Sequence, residues 1–357
     1  MITRVLKVDS AQPDPAFIEE AAAALREGKL VAFPTETVYG LGANALDPAA
    51  VAKIFAAKER PAIDPLIVHL AHIGQISMCA SHVPPAARKL GLAFWAGPLT
   101  IILPKKPQVP DSVTAGRPNV ALRVPAHRVA RALMELAGVP VAAPSANRFS
   151  RPSPTTAAHV LADLEGRVDV VLDGGATDIG VESTIIDFTV EPPVMRRPGG
   201  VTLEQIQAVV PEVVAAVQRG RTDVAQIAPG QLTRHYAPRA ELTLYQGAVE
   251  RMIERVAADA RTMAAQGARV GILAPEEDLL ALAPEVAPLA AAGRVEVQPY
   301  GSRTDPARSA RELFAALRSL DGTGVTHILA TSINPDGLGL AVQDRLTRAA
   351  DGRVRRV

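Results

Sequence analysis

The sequence predicts two α/β domains in tandem, the first with mixed strand directions and the second a small open parallel sheet, Rossmann-like in outline. Three observations predict this. Short apolar runs alternate with amphipathic stretches across the first two hundred residues. Between Gly220 and Pro238 the pattern loosens, and Gly, Pro, Arg and His follow no period. From Glu241 a second, more regular alternation begins. Such alternation is the signature of layered α/β domains, because each strand must bury a face against a helix.

The elements follow in order. Asp14 to Arg26 reads as an amphipathic helix, with Gly28 as its stop. Leu30 to Pro34 is a strand. Asp47-Pro48 opens a helix through Ala57, with Asp at the cap and Pro in the first turn. Pro65 to Leu70, Leu99 to Leu103 and Val120 to Val124 are strands, and His127 to Ala137 is a helix. Val141 to Ala143 leads into a turn. Thr155 to Leu164 is helical, Val168 to Leu172 and Ser183 to Phe188 are strands, and Thr202 to Val210 is a closing helix. In the second pattern, Leu242 to Tyr245, Val270 to Leu273, Val295 to Val297 and His327 to Ala330 are strands. Helices are expected over Val249 to Ala265, Ala307 to Leu320 and Leu340 to Ala349.

Composition narrows the function. A length of 357 residues accommodates two ordinary domains. Hydrophobic residues at 48% and charged residues at 21% describe a globular chain with ample core. Lys plus Arg is 38 against 37 for Asp plus Glu, so no global field attracts nucleic acid or membrane and any anion site must be local. One cysteine, Cys79, excludes a disulfide framework and a cysteine-based zinc site within the chain. Met1 to Ser10 lacks an apolar core, so no signal peptide is expected. The apolar tract Leu279 to Gly293 carries Glu285 and is broken by Pro284 and Pro288, so no transmembrane helix is expected there. The expected location is the cytoplasm.

Several motifs carry chemistry. Gly40-Leu-Gly42-Ala-Asn-Ala45 fits a dinucleotide pattern, but Pro34 to Tyr39 separates it from the preceding strand, and a tight backbone approach explains the glycines better. Gly337-Leu-Gly339 is a weaker copy. There is no Gly-x-x-x-x-Gly-Lys-Ser/Thr loop and no Gly-x-Ser-x-Gly elbow. The seven histidines show no metal spacing, and no metal ligands are expected. Lys58-Glu-Arg60-Pro61 at a helix end reads by itself as a solvated terminal turn. Arg123, in an otherwise apolar strand, needs a carboxylate, from the protein or from a ligand, and both readings stay open. Ala143 to Thr155 is dense in hydroxyls and amides, either a capped loop or a phosphate cradle. Arg196-Arg-Pro-Gly-Gly200 reads as a turn with two cations.

Together the motifs resemble a known family. Phe33 to Ala43, Lys58-x-Arg60, Pro65 to His69, Gly97-Pro-Leu-Thr100, Ala143-Pro-Ser-Ala-Asn147, Glu182-Ser-Thr-Ile185 and Arg197-Pro-Gly199 occur in the order of the YrdC-like family. Pro229-Gly230 and Arg234 to Pro238 resemble the linker of its long members, which are threonylcarbamoyl-AMP synthases. The resemblance implies a YrdC-like open, twisted mixed sheet with a basic cavity over residues 13–205. It further implies a linker or lid over 206–240 and a smaller Rossmann-like domain over 241–357. By the same resemblance Lys58, Arg60, Asp64, Asn119, Ser145, Asn147, Ser153, Arg197 and Tyr236 serve ATP, with Lys58 and Arg60 catalytic. Thr37, His69, Arg123 and Ser183 serve L-threonine. Glu59 stands where the family commonly has Gly, Ala96 where it has Pro, and Asp64 where it has Asn. A negative Asp64 beside polyphosphate calls for Mg²⁺ or Arg60 as its partner.

The implied reaction joins ATP, L-threonine and bicarbonate into threonylcarbamoyl-AMP and pyrophosphate, for threonylcarbamoyladenosine modification of tRNA. Positioning and charge neutralisation would do most of the catalysis. Mg²⁺ would bridge phosphate oxygens, largely through water. Downstream tRNA threonylcarbamoyl-transfer enzymes are the expected partners, with a weak tRNA contact and no membrane. Two rivals stand beside this reading. A carbamoyl-AMP-forming carbamoyltransferase domain would bring zinc-binding cysteine clusters that this chain lacks. A non-catalytic RNA-binding module would need basic charge and aromatic platforms, yet aromatics are 3%.

Overall fold

The computed structural model describes residues 2–215, 226 and 235–357. The chain divides into two units, Met1–Phe149 with Ser153–Leu232, and Ser150–Pro152 with Thr233–Val357. Much of the expected linker, residues 216–225 and 227–234, lies outside the described residues.

The first unit is built on an eleven-stranded mixed sheet. Its strands are β1 (Arg4–Lys7), β2 (Val31–Phe33), β3 (Gly40–Asn44), β4 (Ile67–His69), β5 (Leu99–Pro104) and β6 (Asn119–Arg123). They continue with β7 (Val141–Ala142), β8 (Val170–Asp173), β9 (Thr184–Asp187), β10 (Val194–Arg197) and β11 (Val214–Ala215). The spatial order is 1-8-2-3-7-4-6-5-9-10-11. Helix α1 (Pro15–Arg26) begins because the Asp14 carboxylate accepts the Ala16 N–H, and its stripe Ile18, Ala21, Ala22, Leu25 is buried. It packs with β1, β2 and β8 and with the later helix Arg128–Ala137 into one apolar core. Helix α2 (Pro48–Lys58) is capped in the same way by Asp47.

Two local features set up the site. β4 and β6 run parallel, with Ile67 beside Ala121 and His69 beside Arg123. In register neighbours share a face, so the imidazole and the guanidinium emerge together at the strands' ends. β9 and β10 are antiparallel, and a bulge between Met195 and Arg197 breaks their alternation. The bulge inserts one residue and re-aims the two consecutive arginines.

The remaining helices of this unit are α3 (Pro85–Phe94), α4 (Asp111–Thr114), α5 (Arg128–Ala137), α6 (Ala157–Leu164) and α7 (Leu203–Val209). The second unit has β12 (Glu241–Gln246), β13 (Val270–Ala274), β14 (Val295–Pro299), β15 (His327–Thr331) and β16 (Val354–Arg356). They form a parallel sheet in the order 14-13-15-12-16. Helices α8 (Val249–Ala265), α9 (Glu276–Ala291), α10 (Pro306–Gly322) and α11 (Gly339–Ala349) connect them. Among the described residues no helix is long and apolar enough to cross a membrane.

Two sequence readings are corrected, and one is located. The glycines at 40 and 42, read as a tight backbone approach, lie in β3, antiparallel to β2. A Cβ at Gly42 would meet the Phe33 ring and Val141 at 2.8 Å, so packing requires the glycine. Arg196 and Arg197 lie in β10 rather than in a turn. The tract around Pro284 and Pro288 is not broken but runs through both prolines as α9. Spaced by four, they fall on the exposed face, where the carbonyls that lose an N–H partner are hydrated.

Glu59 closes α2 in the left-handed region, at φ 55°. That conformation accounts for a glycine preference between Lys58 and Arg60. Here the side chain is paired with Arg148 and Arg167 on the surface. Both Glu59→Ala and Glu59→Gly lose those pairs, but only glycine relieves the backbone. Glu59→Gly should therefore melt above Glu59→Ala by about 2–4 °C in a thermal scan. Equal melting temperatures would show that the left-handed turn is unstrained.

Candidate active site

The loop between β2 and β3, Pro34 to Tyr39, is the hub of the first unit. Thr35 folds it, accepting the N–H groups of Thr37 and Val38 at 3.2 Å and donating to the Val38 carbonyl at 2.6 Å. Backbone hydrogen bonds then tie two further loops to it. Ala146 donates to the Tyr39 carbonyl at 2.8 Å, and Ile179 and Gly180 donate to those of Glu36 and Thr37 at 2.8 and 3.1 Å. The Tyr39 hydroxyl donates to Gly175 at 2.6 Å, and burial pushes its pKa up.

Glu36 is the buried carboxylate that Arg123 requires. Arg123 Nη2 donates to Glu36 Oε1 at 2.6 Å and to the Thr37 hydroxyl at 2.9 Å, and Nε to the Gly97 carbonyl at 3.3 Å. The other Glu36 oxygen accepts the Ala126 N–H at 3.0 Å. Nη1 of Arg123 has no protein acceptor among the described residues. Beside it, His69 is buried edge-on to Phe33, with ring centroids 6.3 Å apart. Its Nδ1 makes no hydrogen bond. Burial, and then the charge of Arg123, lower its pKa to about 3, so the ring is neutral at pH 7.

Ser183 approaches this group from β9. Its hydroxyl lies 2.7 Å from that of Thr100. The Arg197 guanidinium donates to the Ser183 carbonyl at 3.1 and 2.9 Å and to its hydroxyl at 3.2 Å. The two groups meet across one turn, because Arg123 binds the Gly97 carbonyl and Thr184 donates to that of Pro98. Gly199 makes the fit possible. A Cβ there would stand 2.2 Å from the Glu182 carbonyl oxygen. Ser153 donates to the Glu182 carboxylate.

A second cluster forms at the opposite end of β4 and β6. Arg60 pairs with Asp64 at 2.9 Å, both buried, and also donates to the Asp64 and Pro65 carbonyls at 3.1 and 2.8 Å. Lys58 is buried, and its ammonium donates to the backbone carbonyls of Ser145, at 2.5 Å, and Asn147. The Gln226 N–H donates to Ile63 at 2.9 Å in the same loop. Asn119 begins β6, four residues before Arg123 and so about 13 Å from it, and donates to Thr189 at 3.2 Å. Tyr236 belongs to the second unit, buried 5.3 Å from the Phe314 ring and beneath Arg345.

Sequence reasoning missed Glu36, Glu182, Thr35 and Thr100 as members of the site. The signal for Glu36 was present: an acidic residue inside an apolar, hydroxyl-rich loop and an arginine inside an apolar strand each demand the other. The cations of the site are also not bare. Arg60 and Arg123 each face a buried carboxylate, so the local charge is mixed rather than uniformly basic.

The first unit is thus a mixed α/β unit that gathers buried cations, hydroxyls and backbone donors at strand ends. The chain matches the family described as Telomere recombination over residues 23–199. It matches the one described as Threonylcarbamoyl-AMP synthase, C-terminal domain, over residues 201–351. It is 46% identical to the threonylcarbamoyl-AMP synthase of Pyrococcus abyssi over 346 residues, covering 95% of this chain and 96% of the relative. It is 44% identical to that of Bacillus subtilis over 340 residues, covering 94% of each. A crystal structure of P. abyssi Sua5 complexed with L-threonine matches at a TM-score of 0.90 and 42% identity, over 100% of both chains. The chain belongs to the threonylcarbamoyl-AMP synthase family.

The neutral His69 gives a pH test. Its folded pKa is depressed, so between pH 6.5 and about 3 the unfolded chain binds a proton that the folded chain refuses. Stability therefore falls as pH drops through that window, by up to about 1.4 kcal/mol per pH unit from this group. Urea midpoints between pH 7 and 4 should fall less steeply for His69→Gln than for the parent. Parallel slopes would mean that His69 is protonated in the fold.

Proposed function

We propose that the two clusters in the first unit are the two halves of the adenylation site, with L-threonine at Arg123 and the nucleotide at the Lys58–Arg60 end. The activity itself is that of the family: threonylcarbamoyl-AMP synthesis, an adenylyl transfer. The observation that carries the division is the Arg123 guanidinium. Glu36 and Thr37 fix one edge of it, and Nη1 is left to donate to a ligand carboxylate. In this reading, Thr37, the neutral His69 and Ser183 surround the amino acid and favour one that has a hydroxyl, since their buried polar atoms would otherwise stay unpaired. L-Threonine is bound by the P. abyssi relative.

The amine of threonine adds to CO₂ from bicarbonate and loses a proton to give a carbamate. A carbamate oxygen then attacks the α-phosphorus of ATP, and pyrophosphate leaves. Arg60, Arg197 and the donors of Ser145, Asn147, Ser153 and Asn119 hold the nucleotide. Lys58 fixes the Ser145–Asn147 loop from beneath. Asp64 orients Arg60 instead of opposing the phosphates. Among the described residues no cluster of three His, Cys, Asp or Glu could cage a metal. Mg²⁺ fits this reading as part of the nucleotide, held by phosphate oxygens and water. Tyr236 completes the nucleotide side in this reading. The product passes to tRNA threonylcarbamoyl-transfer enzymes in the cytoplasm, with at most a weak contact to tRNA.

Purified protein should release pyrophosphate from ATP only when L-threonine and bicarbonate are both present. Release without threonine would overturn the reading. Arg123→Lys keeps the charge facing Glu36 but loses the planar fork, so KM for L-threonine should rise by about tenfold or more while that for ATP stays nearly constant. Glu36→Gln should act in the same direction, because it frees the guanidinium to reorient. If either change raised KM for ATP instead, the assignment of the two halves would be reversed.

A further inference from the structure

The second unit contains an unassigned crevice of about 340 Å³. Its position follows from topology. The chain leaves β12 through α8 to reach β13, and leaves the adjacent β15 through α11 to reach β16. These connections run in opposite directions across the sheet, so right-handed crossovers carry them to opposite faces. Loops that part in this way open a crevice beyond the carboxyl ends of the strands, where α/β sheets bind ligands. The crevice lies there, lined by Gln246 and Gly247 after β12 and by Ser332 to Pro335 after β15. The Gly337-Leu-Gly339 motif turns the second of these loops into α11, with Gly337 at φ 55°.

Its polar lining is only partly engaged. Gln246 and Gln343 make no side-chain hydrogen bond among the described residues. Ser332 is 5% exposed, and its hydroxyl reaches only the Met252 sulfur, at 3.7 Å, a poor acceptor. Arg303 is the one charged residue in the lining. Asp278 grips its Nε and its Nη2, the latter at 2.5 Å, and among the described residues Nη1 has no acceptor. Ser332 is the buried one of these, and buried polar groups normally find partners, so its hydroxyl, set beside the half-buried Gln246, Gln343 and Arg303, points to a ligand.

The ligand's class follows from charge and shape. Arg303 is held rigid, and α8 has no side-chain cap, so its first N–H groups remain available to an anion. The nearby acids limit the ligand's charge. Asp278 and Glu277 are engaged by Arg303, Thr331 and Ser302, while Asp336 accepts from Asn334. Glu250 lies in the first turn of α8. Such a balance suits one phosphate and disfavours a polyphosphate. Val249 and Met252 supply an apolar wall, and the volume matches the lower end for small-molecule sites. We propose that the second unit binds a phosphate monoester of mononucleotide size in this crevice.

Equilibrium dialysis of labelled AMP against the full chain tests this independently of the catalytic reading. Arg60→Ala, which weakens the nucleotide end of the first unit, should retain one bound equivalent. Adding Gln343→Glu places a like charge near the phosphate and should weaken that equivalent by about tenfold or more. Ser332→Ala, made separately, should weaken it too. Inorganic phosphate should compete, and adenosine should bind far less well. Gln343→Glu alone should leave pyrophosphate release unchanged. The proposal is overturned if Arg60→Ala binds no AMP, if binding ignores both Gln343→Glu and Ser332→Ala, or if adenosine binds as tightly as AMP.

Discussion

The first unit depends on the ion pair between Glu36 and Arg123. Removing water from two opposite charges costs several kcal/mol per ion, and their attraction offsets this only when the remaining donors and acceptors are satisfied. Here they nearly are. Glu36 accepts from Arg123 and Ala126, and Arg123 also reaches Thr37 and Gly97. The pair therefore locks a loop with little regular structure onto the end of a central strand. That loop in turn holds the 144–147 and 177–182 loops by backbone bonds. Losing either charge would leave the other buried and unpaired, and three loops would lose their common anchor.

The parallel pairing of β4 and β6 supplies the second constraint. One register brings His69 to Arg123. Along β6 the same pairing sets Asn119 about 13 Å from Arg123. The Arg197 guanidinium, bonded to Ser183, joins the Arg123 end from β10.

Much of this was legible in the sequence, and the gaps have physical causes. Several helices were read almost to the residue: the caps Asp14 and Asp47 announce α1 and α2, and the long amphipathic run Val249–Ala265 is α8. Two of the strands that escaped notice carry atypical residues. β3 is glycine-rich because the Phe33 ring and Val141 occupy the space above Gly42. β10 ends in two arginines, whose charges are matched by Asp187 and by the Ser183 carbonyl across a bulge. In both, tertiary contacts override local propensity. In the site, cations and hydroxyls stood out as motifs. The carboxylates did not, because an acidic residue in a loop looks solvated until its partner strand is known.

The matched charges also bear on selectivity. A chain of net charge +1 cannot draw its substrates in by a long-range field. In the first unit the cations are already paired, Arg60 with Asp64 and Arg123 with Glu36. An anion gains little there from charge alone, because the buried carboxylate offsets much of the attraction. It gains more from donors fixed in direction, such as the Nη1 edge of Arg123. Discrimination then rests on geometry, and the buried carboxylates are what hold that geometry in place.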